Sequence, residues 1–171
     1  MAENVLTWSK SILVSTPIRW QYLVDNYPPE LLSLAPAAGE WSALACLQHM
    51  VNVERDSTPV RLRAFLAGTS FPGFTPQDDE SKETPHLGLG AEFAALRQQN
   101  LSLLNQVSTS DLDKEALHGE YGVVSLSHFL HHLAAHDLMH TVQAEQALMQ
   151  PFIKGSGAWE VNYTAHIAKH D

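Results

Sequence analysis

The run HFLHHLAAHDLMH, residues 128–140, holds five of the chain's ten histidines. Imidazole both ligates transition metals and moves protons near neutral pH, so their mutual placement decides what chemistry is open to them. At about 100° per residue, His136 and His140 lie about 40° apart and stack one helical turn from each other. Leu126, Phe129, Leu133, Ala144 and Ala147 all fall within about 80° of His136, so the pair sits inside an apolar stripe. His131 falls about 140° away, toward solvent, while His128 and His132 lie about 80° and 40° toward the polar flank. The run therefore divides into an inward pair and three outward neighbours.

Two imidazoles in a core stripe need partners, because a buried unpaired polar group costs about 1–3 kcal/mol. A metal ion and a hydrogen-bond network would each supply them. A tetrahedral ion needs a third protein ligand, and His49 is the best candidate. On its own helix Ser42, Cys46, Val53, Val60 and Ala64 fall within about 60° of it, so it too faces inward. Asp56 shares that face but lies two turns further on, too distant for the same ion.

Three neutral nitrogens leave an ion such as Zn²⁺ or Ni²⁺ with open positions, as in catalytic sites. Water on such an ion is acidified toward a pKa of ~7, which suits hydrolysis. A thiol on it loses its proton outright, which suits transfer of a thiolate to an electrophile. Asp137 makes the local text HDLMH, a relative of H-E-x-x-H, whose Glu is a general base. Its phase, about 100° from His136 at the edge of the stripe, and its shorter side chain favour a hydrogen bond to a neighbouring helix or the orienting of a ligand over the role of base. Gln143, one turn beyond His140, could orient a ligand from behind or, equally, make a polar contact at the rim. His132 could shuttle protons, although a solvated flank suits it better. Cys46 could be a ligand or nucleophile, but buried apolar filler fits it better. His118, in the turn HGEYG, could reach the mouth of the site.

The elements that carry these residues follow from punctuation and periodicity. After a short leading segment, Ser15-Thr16-Pro17 predicts a helix start, with the helix running to about Asn26 before Pro28-Pro29. Ser42 predicts an N-cap, with Trp41 packed on the first turn, for a second helix reaching about Ala67 and bending at Pro59. A loop from Gly68 to Gly90 precedes a third helix over 91–107. Ser125 predicts the N-cap of a fourth, from about Leu126 to Gln150, stopped by Pro151. The expected fold class is therefore all-α, a four-helix bundle without a sheet, over residues 1–150. Residues 151–171 would form a C-terminal tail, packed on the surface or flexible. The Gly68–Gly90 loop could span roughly 70 Å against about 39 Å for the second helix, so helices two and three can lie parallel with a long crossover between them; the loop between helices three and four is also long, so length alone leaves open which connection crosses.

Composition narrows the partners. Nineteen acidic residues against ten basic ones, with no Lys/Arg cluster, disfavour a nucleic-acid partner. No apolar run of membrane-spanning length and no leader pattern is visible, and one cysteine cannot form an internal disulfide, so the expectation is a cytoplasmic protein without a membrane partner. On the second helix Leu44, Leu47, Val51, Leu62 and Phe65 lie opposite His49, and this second apolar side predicts a homodimer interface.

Two stretches resemble a known family. PAAGEWSALACLQHMVNVERD, residues 36–56, resembles the second-helix signature of the DinB/YfiT-like family, with Trp-Ser at the helix start and a histidine seven residues after the Ser. HGEYGVVSLSHFLHHLAAHDLMHTVQ, residues 118–143, resembles its second signature: a Gly turn, a helix start, then H-D-x-x-H-x-x-Q. With the order and spacing of the helices, the match covers roughly residues 5 to 150. The resemblance implies a bundle of up-down-down-up topology, usually homodimeric, holding one divalent ion on three histidines. Carried over residue by residue, these are His49, His136 and His140. Trp41, Ser42, Asp137 and Gln143 also match family positions. Family activities are diverse: some members resemble low-molecular-weight thiol S-transferases, others look like isomerases or hydrolases, and many have no assigned reaction. The expected function is a metal-dependent transferase acting on a small molecule through a metal-activated thiolate, with a low-molecular-weight thiol as cosubstrate; the alternatives are a hydrolase using metal-bound hydroxide and a non-catalytic metal- or ligand-binding stress protein.

Overall fold

The structure, a computed structural model, describes residues 2–72 and 86–168. Pro17 does not start a helix; it lies inside α1, which runs unbroken from Ala2 to Asn26. A proline in mid-helix removes the N–H that would bond the carbonyl four residues back, here Leu13. That carbonyl instead accepts from Arg97 Nη1 at 3.1 Å, so a side chain of another helix replaces the missing donor. The short α2, Pro29–Leu32, follows with proline in its first turn.

Ser42 caps α3 (Ala43–Asn52) as expected, its hydroxyl accepting from the Ala45 N–H at 3.2 Å. The expected bend at Pro59 takes the form of a π turn, Val53–Ser57, before α4 (Thr58–Ala67). Pro59 cannot donate to Arg55, and the Thr58 N–H reaches Val53 O, five residues back. The extra residue sets every later side chain back by roughly 100°. Val60, expected inward, is for that reason 45% exposed.

α5 spans Leu89–Leu104, beginning and ending a little earlier than expected. Most of the loop before it, residues 73–85, lies outside the described residues. α6 runs from Leu126 to Gly155, straight through Pro151. Its extra turn buries Ile153, whose carbonyl is capped by the Ser156 N–H and hydroxyl. Residues Gly157–His166 form an exposed 3-10 helix, tied to α6 where Gln150 Nε2 donates to His166 O and Ala168 N donates to Gln150 Oε1.

The expectation of no sheet is wrong. β1 (Ser70–Phe71) pairs parallel with β2 (Glu115–His118), which pairs antiparallel with β3 (Gly122–Ser125). The strands are two to four residues long, too short for an alternating pattern to stand out. The β2–β3 turn closes at Gly122, whose φ of 74° is one that residues with a Cβ adopt at a cost.

α1 and α3 do not pack closely on each other; each packs between α5 and α6. The core has two apolar clusters. One gathers Leu13, Leu62, Phe65, Leu104 and Leu130; the other gathers Trp20, Leu23, Leu47, Phe93 and Leu148. The face predicted for a homodimer is consumed by this core: Leu44, Leu47, Val51, Leu62 and Phe65 are all buried within the single chain. The helix formed by α3, the π turn and α4 is therefore central on both sides, and the argument for an interface there does not hold. Among the described residues, no helix is long and apolar enough to cross a membrane.

Between the two clusters lies a polar layer. Arg97 of α5, 2% exposed, donates all five of its N–H groups. Nη1 and Nη2 reach Asp137 at 2.7 and 2.9 Å, Nε and Nη2 reach Glu54 at 2.9 and 3.2 Å, and Nη1 also serves Leu13 O. Asn100 and Thr58 donate to Glu54 as well. Burial alone would lower the Arg97 pKa, but the Asp137 and Glu54 carboxylates outweigh it and raise it. This network locks α1, the π turn, α5 and α6 together at the height of the histidines.

Candidate metal centre and its cavity

His49 hangs from α3 two turns after its cap, and His136 and His140 stack on successive turns of α6. Their rings meet: His49 and His140 lie 4.5 Å apart between centroids, as do His136 and His140, and His49 and His136 lie 5.2 Å apart. His49 Nε2 and His136 Nε2 approach to 3.1 Å. One potential ligand nitrogen from each ring lies within 4.8 Å of the others. Nitrogens at about 2.0–2.1 Å from a tetrahedral ion stand roughly 3.3–3.4 Å apart, so small ring rotations would admit one. The sequence phase selected these three residues, and the fold brings all three together.

The surroundings of His136 favour neutral imidazole, the form that ligates. Burial, reinforced by His140, His49, His132 and Arg97, pushes the His136 pKa far below the ordinary imidazole value. His140 Nδ1–H donates to Gln143 Oε1 at 2.9 Å, which leaves its Nε2 lone pair for the cluster. Trp41 stacks on His140 at 5.8 Å and tilts over His49 at 5.1 Å, walling one side. Gln143 thus fills the supporting role open to it, and Trp41 packs on the histidines.

Asp137 is not a base for this site. It is 1% exposed and both its oxygens are engaged by Arg97. One residue along the helix from His136 turns a side chain by about 100°, enough to face the ion network instead of the histidines. Cys46 is filler: it is fully buried in the apolar core, and burial pushes its thiol up to about 12. Asp56 is exposed, and His131 faces solvent.

The three histidines open onto a cavity of about 470 Å³. His118, His128 and His132 also line it, so six of the ten histidines face one space. His132 lies 5.6 Å from His136 between ring centroids, although its outer edge is solvated. Burial and then the Arg61 charge lower the His132 pKa, and the same two causes lower that of His118. His118 does reach the site, and the turn holds it there: its Nδ1 accepts the N–H groups of Glu120 at 3.0 Å and Tyr121 at 3.2 Å.

Sequence reasoning missed Arg61, Phe71 and Tyr121, which line the same cavity. On a straight helix Arg61 falls about 120° from His49; the π turn brings it back to about 20°. Proline two residues before Arg61 is the one signal that could have placed it. Phe71 and Tyr121 come from the small sheet and its turn, whose short strands carry no readable period.

A mostly helical bundle with a convergent three-histidine cluster defines the class: a fold with a possible divalent-metal centre. The chain belongs to the DinB superfamily, which matches residues 12–144. Among solved structures it is similar to YfiT from Bacillus subtilis, described as a probable metal-dependent hydrolase with an unusual four-helix bundle topology. The two share 16% identity and a TM-score of 0.74, over 86% of this chain and 87% of that one. None of the curated proteins matches the chain.

Proposed function

We propose that this protein is a metal-dependent enzyme in which His49, His136 and His140 hold one divalent ion, Zn²⁺ or Ni²⁺, beside a small-molecule cavity. The observation that carries the reading is the convergence of three imidazole nitrogens on the wall of that cavity. When bound, such an ion supplies Lewis acidity, lowering the pKa of a thiol or water that reaches it. The chain's own residues do the rest. Gln143 fixes the His140 tautomer, Trp41 shields the cluster from solvent, and His132 stands where it can take a proton.

The reaction favoured is transfer of a low-molecular-weight thiol to an electrophile. Thiolate transfer needs no carboxylate base, and Asp137, the one that the spacing offered, is committed to Arg97. The second reading is hydrolysis, favoured by the description of YfiT. We also infer an up-down-down-up bundle in a cytoplasmic homodimer. The pairing of Ser9 with Leu130 and of Arg19 with Glu145 supports parallel α1 and α6. Trp8, Ile18 and Tyr22 on one side of α1 offer exposed apolar surface for a second copy.

Elemental analysis of untagged protein beside His136→Ala tests the centre. About one ion per chain in the wild type, absent from the variant, is expected. If neither protein binds metal after incubation with Zn²⁺, Ni²⁺ or Mn²⁺, the cluster is a hydrogen-bonded core and the enzyme reading falls. With metal present, consumption of a common bacterial thiol by an electrophile, set against ester hydrolysis, separates the two reactions. Tightly held metal with neither activity would make it a binding protein.

A further inference from the structure

The chain carries a formal charge of −9, yet its cavity is lined by an arginine, six histidines and, among the described residues, one carboxylate. That carboxylate, Glu120, is solvent-exposed and makes no ion pair with Arg61. Arg61 is half-buried, and its guanidinium lies 5.7 Å over the Phe71 ring. Among the described residues no carboxylate pairs with it. The chain's other well-buried arginine, Arg97, is satisfied five times over. A half-buried cation left unpaired in an apolar setting is unfavourable unless something brings it an anion.

A second donor stands beside it. Phe71 meets His118 edge-on at 5.2 Å, so Arg61, Phe71 and His118 form one continuous wall. Because His118 Nδ1 accepts two backbone N–H groups, the proton of the neutral ring sits on Nε2. Val53, Val124, Phe129 and Met139 give the same cavity apolar lining, beside Ser57, His128 and His132.

We propose that Arg61, assisted by the Nε2–H of His118, receives a carboxylate at one end of an apolar, aryl- or alkyl-bodied substrate whose other end reacts at the histidine cluster. The inference rests on reading the cavity as the substrate site, and it names the substrate class that such a site takes. A planar guanidinium binds both carboxylate oxygens at once, so it fixes the orientation of the molecule as well as holding it.

Isothermal titration of the as-purified full chain with 4-phenylbutyrate and with 4-phenyl-1-butanol tests this, since the two probes share a body and differ in charge. The carboxylate should bind about tenfold more tightly than the alcohol. In Arg61→Gln the preference should fall to within about twofold, with alcohol affinity unchanged, and Arg61→Lys should be intermediate. Metal content of the same samples is measured separately, so loss of the centre and loss of the anion preference are distinct results. Equal affinity for the two probes, binding of neither, or a preference that survives Arg61→Gln overturns the proposal. The last would place the carboxylate on the metal instead.

Discussion

The cavity has two walls built on different principles. The helical wall sets His49, His136 and His140 on long elements with capped starts, and an ion network beneath them leaves little freedom. The opposite wall joins Arg61 of α4 to two- to four-residue strands and a turn, where Tyr121 is 71% exposed. A coordination set must be held to within a fraction of an ångström, which rigid helices do well. Substrate selection is met by surface loops, which can change without disturbing the core. On the proposed function, the first wall would carry the chemistry and the second the choice of substrate.

The largest expected effect breaks the helical wall from below. Arg97→Met leaves Glu54 and Asp137 buried without their cation, which should destabilise the fold by about 3–5 kcal/mol. Tyr121→Ala, on the other wall, removes an exposed ring and should stay within about 0.5 kcal/mol. Urea denaturation of both variants measures the contrast. Similar losses would mean that the two walls are equally structural.

Next comes a change that touches ligation alone. Gln143→Leu removes the acceptor for His140 Nδ1–H, so the ring loses its fixed tautomer and orientation. Metal affinity should fall about 10–100-fold, read by competition with a chelating dye, while Gln143→Glu, which keeps an acceptor, should retain most of it. Tyr121→Ala should leave metal affinity where it was.

The helical wall was legible in the sequence because its residues obey one period. His136 and His140 fall in phase with Phe129 and Ala147, and His49 falls in phase with Cys46, so helical geometry alone brings them inward. The other wall was not legible. Arg61 is in phase only after a π turn at which Pro59 alone hints, and Phe71, His118 and Tyr121 meet through a sheet whose strands are shorter than any readable repeat. Pro17, read as a helix start, and Pro151, read as a stop, misled for a related reason: whether a proline bounds a helix depends on what the adjoining turn buries and on who takes the freed carbonyl. For Leu13 that partner is Arg97, eighty-four residues away. Buried ionic partners of this kind are tertiary facts. Asp137 reads as a base until Arg97 is seen opposite it.

A smaller effect depends on pH. In the metal-free protein, burial and the neighbouring imidazoles hold the His136 pKa far down, whereas the unfolded chain titrates near ~6.5. Below that pH the unfolded state binds a proton that the folded state refuses. Stability should therefore be fully present above pH ~6.5 and be lost as pH falls, by at most about 1.4 kcal/mol per unit from this residue. Denaturation midpoints of wild type and His136→Ala should converge between pH 7 and pH 5. Parallel curves would show that the ring is protonated as easily folded as unfolded.

The smallest expected effect sharpens the division between the walls most. Gly122 closes the turn that carries His118 and Tyr121, at a φ of 74°, and nothing lies within 4 Å of the point where a Cβ would stand. Gly122→Ala meets no clash, so its cost is backbone strain alone, about 1 kcal/mol. That strain should shift the turn and with it the two N–H groups that hold His118 Nδ1. Binding of 4-phenylbutyrate should weaken, while metal affinity stays at the wild-type value. If metal affinity falls as well, the strain has crossed the cavity, and the two walls answer to each other mechanically despite being built so differently.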